Sequence, residues 1–244
     1  MKVAIYGQYY QNSTEPIIRD IFVFFNTNNV DMIVEASFLK LLQEKKIIEK
    51  DYATFSNHTE LDATFDMFIS IGGDGTILRA ATFVRKSNIP ILGINAGRLG
   101  FLASIQKENI DAFLKMVIEK KYTISPRTLL SLSCNPSNSD IQDINFAMNE
   151  ITVSRKDTTS MITIETYLND EYLNSYWADG LIISTPTGST GYSMSCGGPI
   201  LTPNVKSLVI TPIAPHNLNA RPLVIPYETE IRLKVSGREE NYLV

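Results

Sequence analysis

The sequence is short of the side chains from which metal centres and disulfide frameworks are built. It contains two cysteines, Cys134 and Cys196, and two histidines, His58 and His216, among 244 residues. Since neither pair has the spacing of a ligand set, a zinc site, a disulfide framework and Ser-His-Asp catalysis are nearly excluded. We therefore predict no metal site built from protein ligands alone. Cysteine use of this kind is typical of a reducing compartment and predicts a cytoplasmic protein.

Positive charge and long apolar runs are also scarce. The net charge is −4 and the isoelectric point is about 5.3, so no basic face is evident for nucleic acid. No apolar run reaches the length of a membrane span, and residues 1–7 predict a β-strand, not a signal peptide. We therefore expect neither nucleic acid nor a membrane as a partner.

The chain is organised around residues 65–79, where an apolar, β-prone run at 67–71 enters a glycine turn. A helix-forming segment from Thr76 to Lys86 follows directly. Strand, glycine turn and helix start together are typical of a phosphate site. Glycine allows the backbone to approach an anion closely, and N–H groups at a helix start point at it. The residues of this turn are Gly72, Gly73, Asp74, Gly75 and Thr76.

Asp74 is an anion within this predicted anion site, and two interpretations of it are open. In the first, its carboxylate does chemistry by contacting a hydroxyl or Mg²⁺ beside the phosphates. In the second, it caps the helix at a tight turn from strand to helix. The glycine motif alone favours neither interpretation.

Strand and helix patterns alternate over residues 1–123. The predicted strands are 3–7, 32–36, 67–71 and 89–95; the predicted helices start near Pro16 and span 38–46, 76–86 and 108–120, with an irregular stretch at 56–64. Alternation with short links predicts an α/β domain with a doubly wound, mostly parallel sheet.

Helical periodicity is almost absent over residues 124–244. The predicted strands are 129–133, 146–154, 161–168, 172–176, 181–184, 208–213 and 231–235. Asn169-Asp170 predicts a hairpin turn. This half is predicted to be an all-β sandwich. Asn149 and Glu150 are neighbours within a predicted strand, so we expect their side chains on opposite faces, one buried and one solvated.

The second half also contains a dense group of hydroxyl and glycine residues at 184–193. Six serine or threonine side chains occur there, directly after an apolar strand. One interpretation is an ordinary turn; the other is a ligand loop that reads an adenine edge or a ribose, with Tyr192 as a flat surface. Six hydroxyls exceed what a turn needs, which favours the ligand loop. His216 is predicted to be a packed or surface residue, not a catalytic one.

Three of these motifs, in this order, closely resemble the NAD kinase family of the bacterial type. They are residues 72–76, the pair Asn149-Glu150 and residues 185–192, and the segments 99–102, 178–180 and 222–226 also match. The first motif is shared with diacylglycerol and sphingosine kinases and loosely with phosphofructokinases, whereas the third is far more specific. The resemblance covers nearly the whole chain and is tight from Asp66 onward.

The resemblance implies an activity and its requirements. Members of this family transfer the γ-phosphoryl group of ATP to the 2′-hydroxyl of the adenosine ribose of NAD, which gives NADP. The implied cofactor is Mg²⁺ or another divalent cation, and the implied assembly is a homotetramer. An α/β nucleotide-binding domain at 1–123 and a β-sandwich NAD-binding domain at 124–244 are the expected domains.

The resemblance also implies roles for individual residues. Asp74 would accept the proton of the 2′-hydroxyl, and the rest of the glycine turn would line the phosphates together with Arg79. Asn149 and Glu150 would hold the adenine and ribose, and Asp179 would face the nicotinamide end. The other positions implied to contact the dinucleotide are Phe101, Ser160, Trp177, Thr187, Thr190, Gly191, Tyr192, Ser193, Ser195 and Ala214.

Two departures from the family and two rival functions bear on this prediction. Gly191 stands where alanine is usual, and the chain stops at Val244 within strand-forming sequence, so we expect the second domain to be truncated. A lipid kinase shares the glycine motif, but no amphipathic basic helix is visible for a membrane. A non-catalytic dinucleotide sensor would use Asp74 only to bind ribose, and the intact Asp74 argues against it.

Overall fold

The computed structural model of the chain describes residues 1–8, 14–95, 100–102, 110–156, 160–217, 219–237 and 242–244. These residues form two compact units, Met1–Ile124 and Ser125–Val244. Leu99 of the segment 99–102 and the predicted helix start at Glu108 lie outside the described residues. No helix within the described ranges is long and apolar enough to cross a membrane.

Strands and helices alternate in the first unit. Its elements are β1 (Lys2–Gly7), α1 (Glu15–Thr27), β2 (Asp31–Glu35), α2 (Ala36–Glu44), β3 (Ala53–Phe55), a 3-10 helix (His58–Glu60), β4 (Met67–Ile71), α3 (Asp74–Val84), β5 (Ile91–Ile94) and α4 (Ile110–Ile118). The strands form one parallel sheet in the order β3-β2-β1-β4-β5. The predicted α/β fold is thereby confirmed.

Helices cover both faces of this sheet because its central strands are apolar on both sides. Every residue of β4 is buried, as expected for a central parallel strand. One core cluster joins Ile69 to α1 and α4, through residues such as Phe22 and Leu114. A second cluster joins Phe68 to α3 through Phe83. The sheet is therefore doubly wound.

The strand order places a topological switch point between β1 and β4. These strands are neighbours, but β1 continues through α1 to β2 on one side, and β4 continues through α3 to β5 on the other. Ligands of open α/β sheets bind beyond the carboxyl ends of the strands at such a point. The glycine turn that follows Ile71 lies at this edge of the sheet.

The second unit consists mainly of antiparallel strands. Its elements are β6 (Leu130–Ser131), α5 (Ser139–Asp143), β7 (Phe146–Ala147), β8 (Glu150–Arg155), β9 (Ile162–Leu168), β10 (Glu171–Ala178), β11 (Gly180–Ser184), a 3-10 helix (Gly188–Thr190), α6 (Tyr192–Ser195), β12 (Ser207–Ile213), β13 (Leu223–Pro226), β14 (Ile231–Ser236) and β15 (Tyr242–Leu243). Sheets of order β13-β12-β11-β8-β15 and β10-β9-β14 share one apolar core. This confirms the predicted second fold.

Several predicted boundaries are wrong for identifiable reasons. Helix α3 begins at Asp74, two residues before the predicted start, because only Gly72 and Gly73 separate it from the end of β4. Ala36 opens α2 instead of ending a strand, since the Glu35 carboxylate accepts from the Phe38 N–H and caps the helix. The short strands β3 and β13 were not predicted, whereas β15 lies in the strand-forming sequence that precedes Val244. The hairpin turn is confirmed, with φ of 49° at Asn169 and 67° at Asp170.

The predicted continuous strand 146–154 is also wrong. It is interrupted between Ala147, which ends β7, and Glu150, which begins β8. The predicted loop at 184–193 contains a 3-10 helix and the first two residues of the one-turn helix α6. Both differences lie at predicted functional residues, and both change which side chains meet.

Candidate functional site

In the first unit, the glycine turn is held tightly against the start of α3. A Cβ added at Gly72 would lie 2.2 Å from Thr76 Oγ1, so only glycine fits there without a shift. The buried Thr76 hydroxyl donates to Gln8 Oε1 at 3.2 Å, just beyond the end of β1. The turn is thus tied to both strands of the switch point.

The other two glycines leave the turn open. An added Cβ at Gly73 or at Gly75 would have no heavy atom within 4 Å. Gly73 is the N-cap residue of α3 and has no side chain that could accept from the N–H groups of the first turn. Bare main chain before an eleven-residue helix is the arrangement that favours a phosphate group.

Asp74 is the first residue of α3, and its carboxylate accepts hydrogen bonds from the main chain of residues 101–102. The Phe101 N–H donates to Asp74 Oδ2 at 2.8 Å, and the Leu102 N–H donates to Asp74 Oδ1 at 2.9 Å. Hydrogen bonds from main-chain N–H groups to a carboxylate are strong because the acceptor is charged. They also partly compensate a negative charge that would otherwise repel a phosphate.

Arg79 and Phe101 are the remaining predicted residues of this unit, and both are exposed. Arg79 lies one turn further along α3, where its guanidinium carbon is 5.8 Å from the centre of the Phe83 ring. It therefore supplies a positive charge on the helix that begins at the glycine turn. Phe101 is 71% exposed, and it contacts Asp74 through its main-chain N–H.

In the second unit, Asn149 and Glu150 meet at one place instead of facing opposite ways. An added Cβ on Gly191 would lie 3.1 Å from Glu150 Oε2 and 3.7 Å from Asn149 Nδ2. The expectation of opposite faces is wrong because Asn149 lies in the interruption between β7 and β8, where strand alternation does not hold. Sequence periodicity had no means of locating that interruption.

This pair carries buried polar atoms that need a partner. Asn149 Oδ1 and Glu150 Oε2 are buried, and neither has a hydrogen-bond partner among the described residues. Burial raises the pKa of the Glu150 carboxyl above its usual range. A buried polar atom without a partner costs about 1–3 kcal/mol, so a ligand that supplies a donor here is strongly favoured.

The hydroxyl groups of the loop 184–193 mostly bond within the protein. Thr185 Oγ1 donates to Met148 O at 2.6 Å and accepts from the Gly188 N–H at 3.1 Å. Ser189 Oγ donates to Pro186 O and accepts from the Leu201 N–H. These hydroxyls hold the turn together. The high number of hydroxyl groups, which the sequence analysis attributed to ligand binding, therefore has a structural cause in part.

The predicted contact residues within this loop divide into buried and exposed ones. Ser193 is fully buried, and its hydroxyl lies 2.8 Å from the hydroxyl of Thr211. Thr190 Oγ1 donates to the main-chain oxygen of Thr187 at 3.4 Å. Tyr192 and Ser195 are exposed on α6. The structure therefore presents Tyr192 to solvent and gives Ser193 a packing role.

Close main-chain packing joins this loop to the Asn149-Glu150 pair. The Thr185 N–H donates to Asn149 O at 2.9 Å. A Cβ added at Gly188 would lie 2.1 Å from Asn149 O, so glycine is required where the two segments cross. Gly188 and Thr185 were not predicted as site residues, although both fall within a motif that the sequence singled out.

The other predicted residues of the second unit lie around the ends of β8, β10 and β12. Asp179 Oδ2 is 2.9 Å from Arg155 Nη2, an ion pair whose side chains are 26% and 27% exposed respectively. The rings of Trp177 and His216 are 4.3 Å apart between centres. Arg155 has no local sequence signal, since β8 and β11 bring it to Asp179 by pairing.

Two further predicted positions are set by the main chain. Ala214 follows β12 with φ of 43°, a left-handed conformation that costs a residue with a Cβ about 1–2 kcal/mol. Ser160 is partly buried just before β9. Within the described ranges, no three His, Cys, Asp or Glu residues are grouped as metal ligands.

Two family models match the sequence. The ATP-NAD kinase N-terminal domain matches residues 3–122, and the ATP-NAD kinase C-terminal domain matches residues 148–244. The chain is 73% identical to an NAD kinase of Flavobacterium johnsoniae over 244 residues, which is 100% of this chain and 83% of that protein.

Solved structures give the same result at lower identity. Yeast NADH kinase complexed with NADH superposes with a TM-score of 0.83 at 26% identity, over 99% of this chain and 70% of that one. An NAD kinase from Archaeoglobus fulgidus in complex with ATP gives 0.70 at 26% identity, over 100% and 86%. The chain therefore belongs to the ATP-NAD kinase family, enzymes that phosphorylate NAD to NADP with ATP.

Proposed function

We propose that Asp74 accepts the proton of the 2′-hydroxyl of the adenosine ribose of NAD as the γ-phosphoryl group of ATP is transferred. The observation that carries this role is the position of its carboxylate. It lies at the first residue of α3 beside an open glycine turn, and two main-chain N–H groups orient it. Phosphoryl transfer depends mainly on positioning and on charge stabilisation, and an oriented carboxylate supplies the first.

The glycine turn is proposed to hold the phosphates. Gly73 and Gly75 leave room for close approach of an anion, and the N–H groups at the start of α3 favour negative charge. Arg79 adds a positive side chain one turn along the same helix. Gly72 and Thr76 shape the turn through their mutual contact.

Asn149 and Glu150 are proposed to hold the adenine and ribose of NAD. An asparagine amide can bond an adenine edge with both its donor and its acceptor, and a carboxylate accepts from a ribose hydroxyl. The unpartnered Asn149 Oδ1 and Glu150 Oε2 support this role. Other positions proposed to contact the dinucleotide are Ser160, Trp177, Asp179, Thr187, Thr190, Gly191, Tyr192, Ser195 and Ala214.

A divalent cation, most simply Mg²⁺, is proposed to accompany ATP. Mg²⁺ is usually held by one or two carboxylates together with substrate phosphates and water, and Asp74 is a carboxylate at the proposed phosphate turn. When bound, the cation would neutralise phosphate charge, which a protein with a net charge of −4 does not do by its overall charge. Its ligands from the protein would be few.

A cytoplasmic homotetramer is proposed as the working form. The two cysteines, Cys134 and Cys196, are both free, as is usual for proteins of a reducing compartment. The tetramer is supported by the family resemblance, and size-exclusion chromatography with light scattering tests it. A mass of 27.3 kDa per chain makes monomer, dimer and tetramer easy to distinguish.

The role of Asp74 is tested by following NADP formation with an NADP-specific dehydrogenase. We expect Asp74→Ala to lower kcat by about 10²–10⁴-fold, the usual effect of a positioned base. Asp20→Ala is the matched control, because it removes an exposed carboxylate from α1 of the same unit. NADH in place of NAD, and assays without Mg²⁺, complete the set. A loss of less than tenfold in Asp74→Ala would remove the proposed proton acceptor.

A further inference from the structure

The turn formed by Gly100, Phe101 and Leu102 surrounds the Asp74 carboxylate on one side. Successive main-chain N–H groups, those of Phe101 and Leu102, each bind a different oxygen of the carboxylate, at 2.8 and 2.9 Å. Two successive N–H groups pointed at one anion form a concave main-chain site of the kind that binds anions in many proteins. In this chain the anion is the side chain of Asp74.

Gly100 makes this approach possible. A Cβ added to it would lie 2.2 Å from Asp74 Oδ1, 2.6 Å from Asp74 Cγ and 2.7 Å from Asp74 Oδ2. Every one of these distances is far below ordinary contact, so a side chain at residue 100 and the observed carboxylate exclude one another. Glycine is required here because of the neighbouring carboxylate.

The contact explains how an anion is tolerated in a turn that favours anions. Main-chain N–H groups are fixed dipoles that carry no ionisable proton and cannot rotate away. They therefore offset part of the Asp74 charge and also fix the direction in which its oxygens point. A flexible cation such as lysine would offset the charge without fixing the direction.

We propose that Gly100 is a positioning residue for the phosphoryl transfer, because its missing side chain lets the turn 100–102 hold both oxygens of Asp74 in the orientation needed for proton acceptance. This inference rests on the proposed role of Asp74 as proton acceptor. Gly100 acts through Asp74 and is not a catalytic residue itself. The effect of changing it depends on whether the Asp74 carboxylate is present.

The test is a double-mutant cycle on full-length enzyme with four proteins. These are the wild type, Gly100→Ala, Asp74→Ala and the double variant, each assayed for kcat and for the KM of NAD and ATP. We expect Gly100→Ala to lower kcat by about 10²-fold, the effect of a displacement near 1 Å at a reacting centre. Both KM values should stay within about threefold of wild type, since misdirecting a base affects the chemical step.

In the Asp74→Ala background, the same change at Gly100 should cost less than about twofold, because the carboxylate that the new Cβ would meet is gone. Thermal unfolding gives a second measurement that does not depend on activity. The melting temperature of Gly100→Ala should fall, and that of the double variant should recover above it. Gly237→Ala is the control for a glycine change, since its added Cβ would be no closer than 3.3 Å to Ile162 Cγ2.

The possible results separate the two proposals. A Gly100→Ala enzyme with kcat within threefold of wild type, while Asp74→Ala is strongly impaired, refutes positioning by Gly100 and leaves the role of Asp74 intact. Equal losses from Gly100→Ala in both backgrounds, or a double variant no more stable than Gly100→Ala, also refute it. An active Asp74→Ala enzyme instead refutes the proposed proton acceptor, and with it the need to position that group.

Discussion

We expect the hydrogen bonds of Thr185 to fix the main chain that positions the Asn149-Glu150 pair, and Thr185→Val tests this. Valine keeps the shape of threonine but removes the hydroxyl. Thr185 Oγ1 donates to Met148 O at 2.6 Å and accepts from the Gly188 N–H at 3.1 Å. Thr185 is fully buried, so water cannot readily replace either bond.

The magnitude follows from the two main-chain groups that lose a partner. A buried carbonyl or N–H group left unsatisfied costs about 1–3 kcal/mol, so two of them are expected to cost about 2–4 kcal/mol when partial relaxation is allowed. For a chain of this size 1 kcal/mol corresponds to about 2–4 °C, so we expect the melting temperature to fall by about 4–16 °C.

The same change should weaken NAD binding. Met148 O lies directly before Asn149, and the Thr185 N–H holds Asn149 O, so the pair shifts when the hydroxyl is lost. We expect the KM of NAD to rise at least about tenfold, equal to about 1.4 kcal/mol, while kcat at saturating NAD changes less. Initial rates over a range of NAD concentrations and differential scanning fluorimetry measure the two effects.

Thr185→Ser is the matched control because it restores the hydroxyl and removes only a methyl group. It should keep the KM of NAD within about threefold of wild type, since both hydrogen bonds can form. If serine and valine were equally damaging, the methyl group and not the hydroxyl would be responsible. If valine left both the melting temperature and the KM of NAD unchanged, the proposed positioning of the pair by Thr185 would be refuted.

Two more predictions concern charged groups of the second unit. Burial raises the pKa of Glu150, so this carboxyl stays protonated in the native state at pH values where it is already ionised in the unfolded chain. The stability of the native state therefore falls as the pH rises above the usual pKa range of glutamate. In nucleotide-free protein, Glu150→Gln should therefore raise the melting temperature at pH 8 by about 2–4 °C, equal to about 1 kcal/mol, and the gain should vanish near pH 4. A double-mutant cycle of Arg155→Ala and Asp179→Asn, read by urea unfolding, should give about 1 kcal/mol of coupling for this partly buried ion pair. Additive effects would show that the pair does not stabilise the fold.

The proposed arrangement assigns different tasks to main chain and side chains. In the first unit, both tasks fall to the main chain. The glycines Gly73 and Gly75 leave room for phosphate, and the N–H groups of the turn 100–102 orient the Asp74 carboxylate. In the second unit, buried hydroxyls hold the main chain so that Asn149 and Glu150 present polar atoms without partners. Such groups gain most when a ligand supplies the missing hydrogen bonds.

Much of the fold was determined by the sequence itself. The run Met67–Ile71 is apolar except at Ser70, which predicted a strand of the mostly parallel sheet, and the glycines after it predicted the turn. Helical spacing also located α1, in which Ile17, Ile21 and Phe25 are buried. These features depend on neighbours a few residues apart, and local periodicity reports them directly. The motifs at 72–76 and 185–192 likewise identified the family.

Only the tertiary structure decided which of these groups meet. Asp74 meets a main chain 26 to 28 residues further along, Asn149 and Glu150 meet at Gly191, and the hydroxyls of 184–193 turn inward. Residue types can show that an oxygen is present, but its partner depends on strand interruptions and on turns that bring distant segments together. Two chain segments can approach closely at a glycine because glycine has no Cβ. Which distant segment makes that approach leaves no local pattern in the sequence.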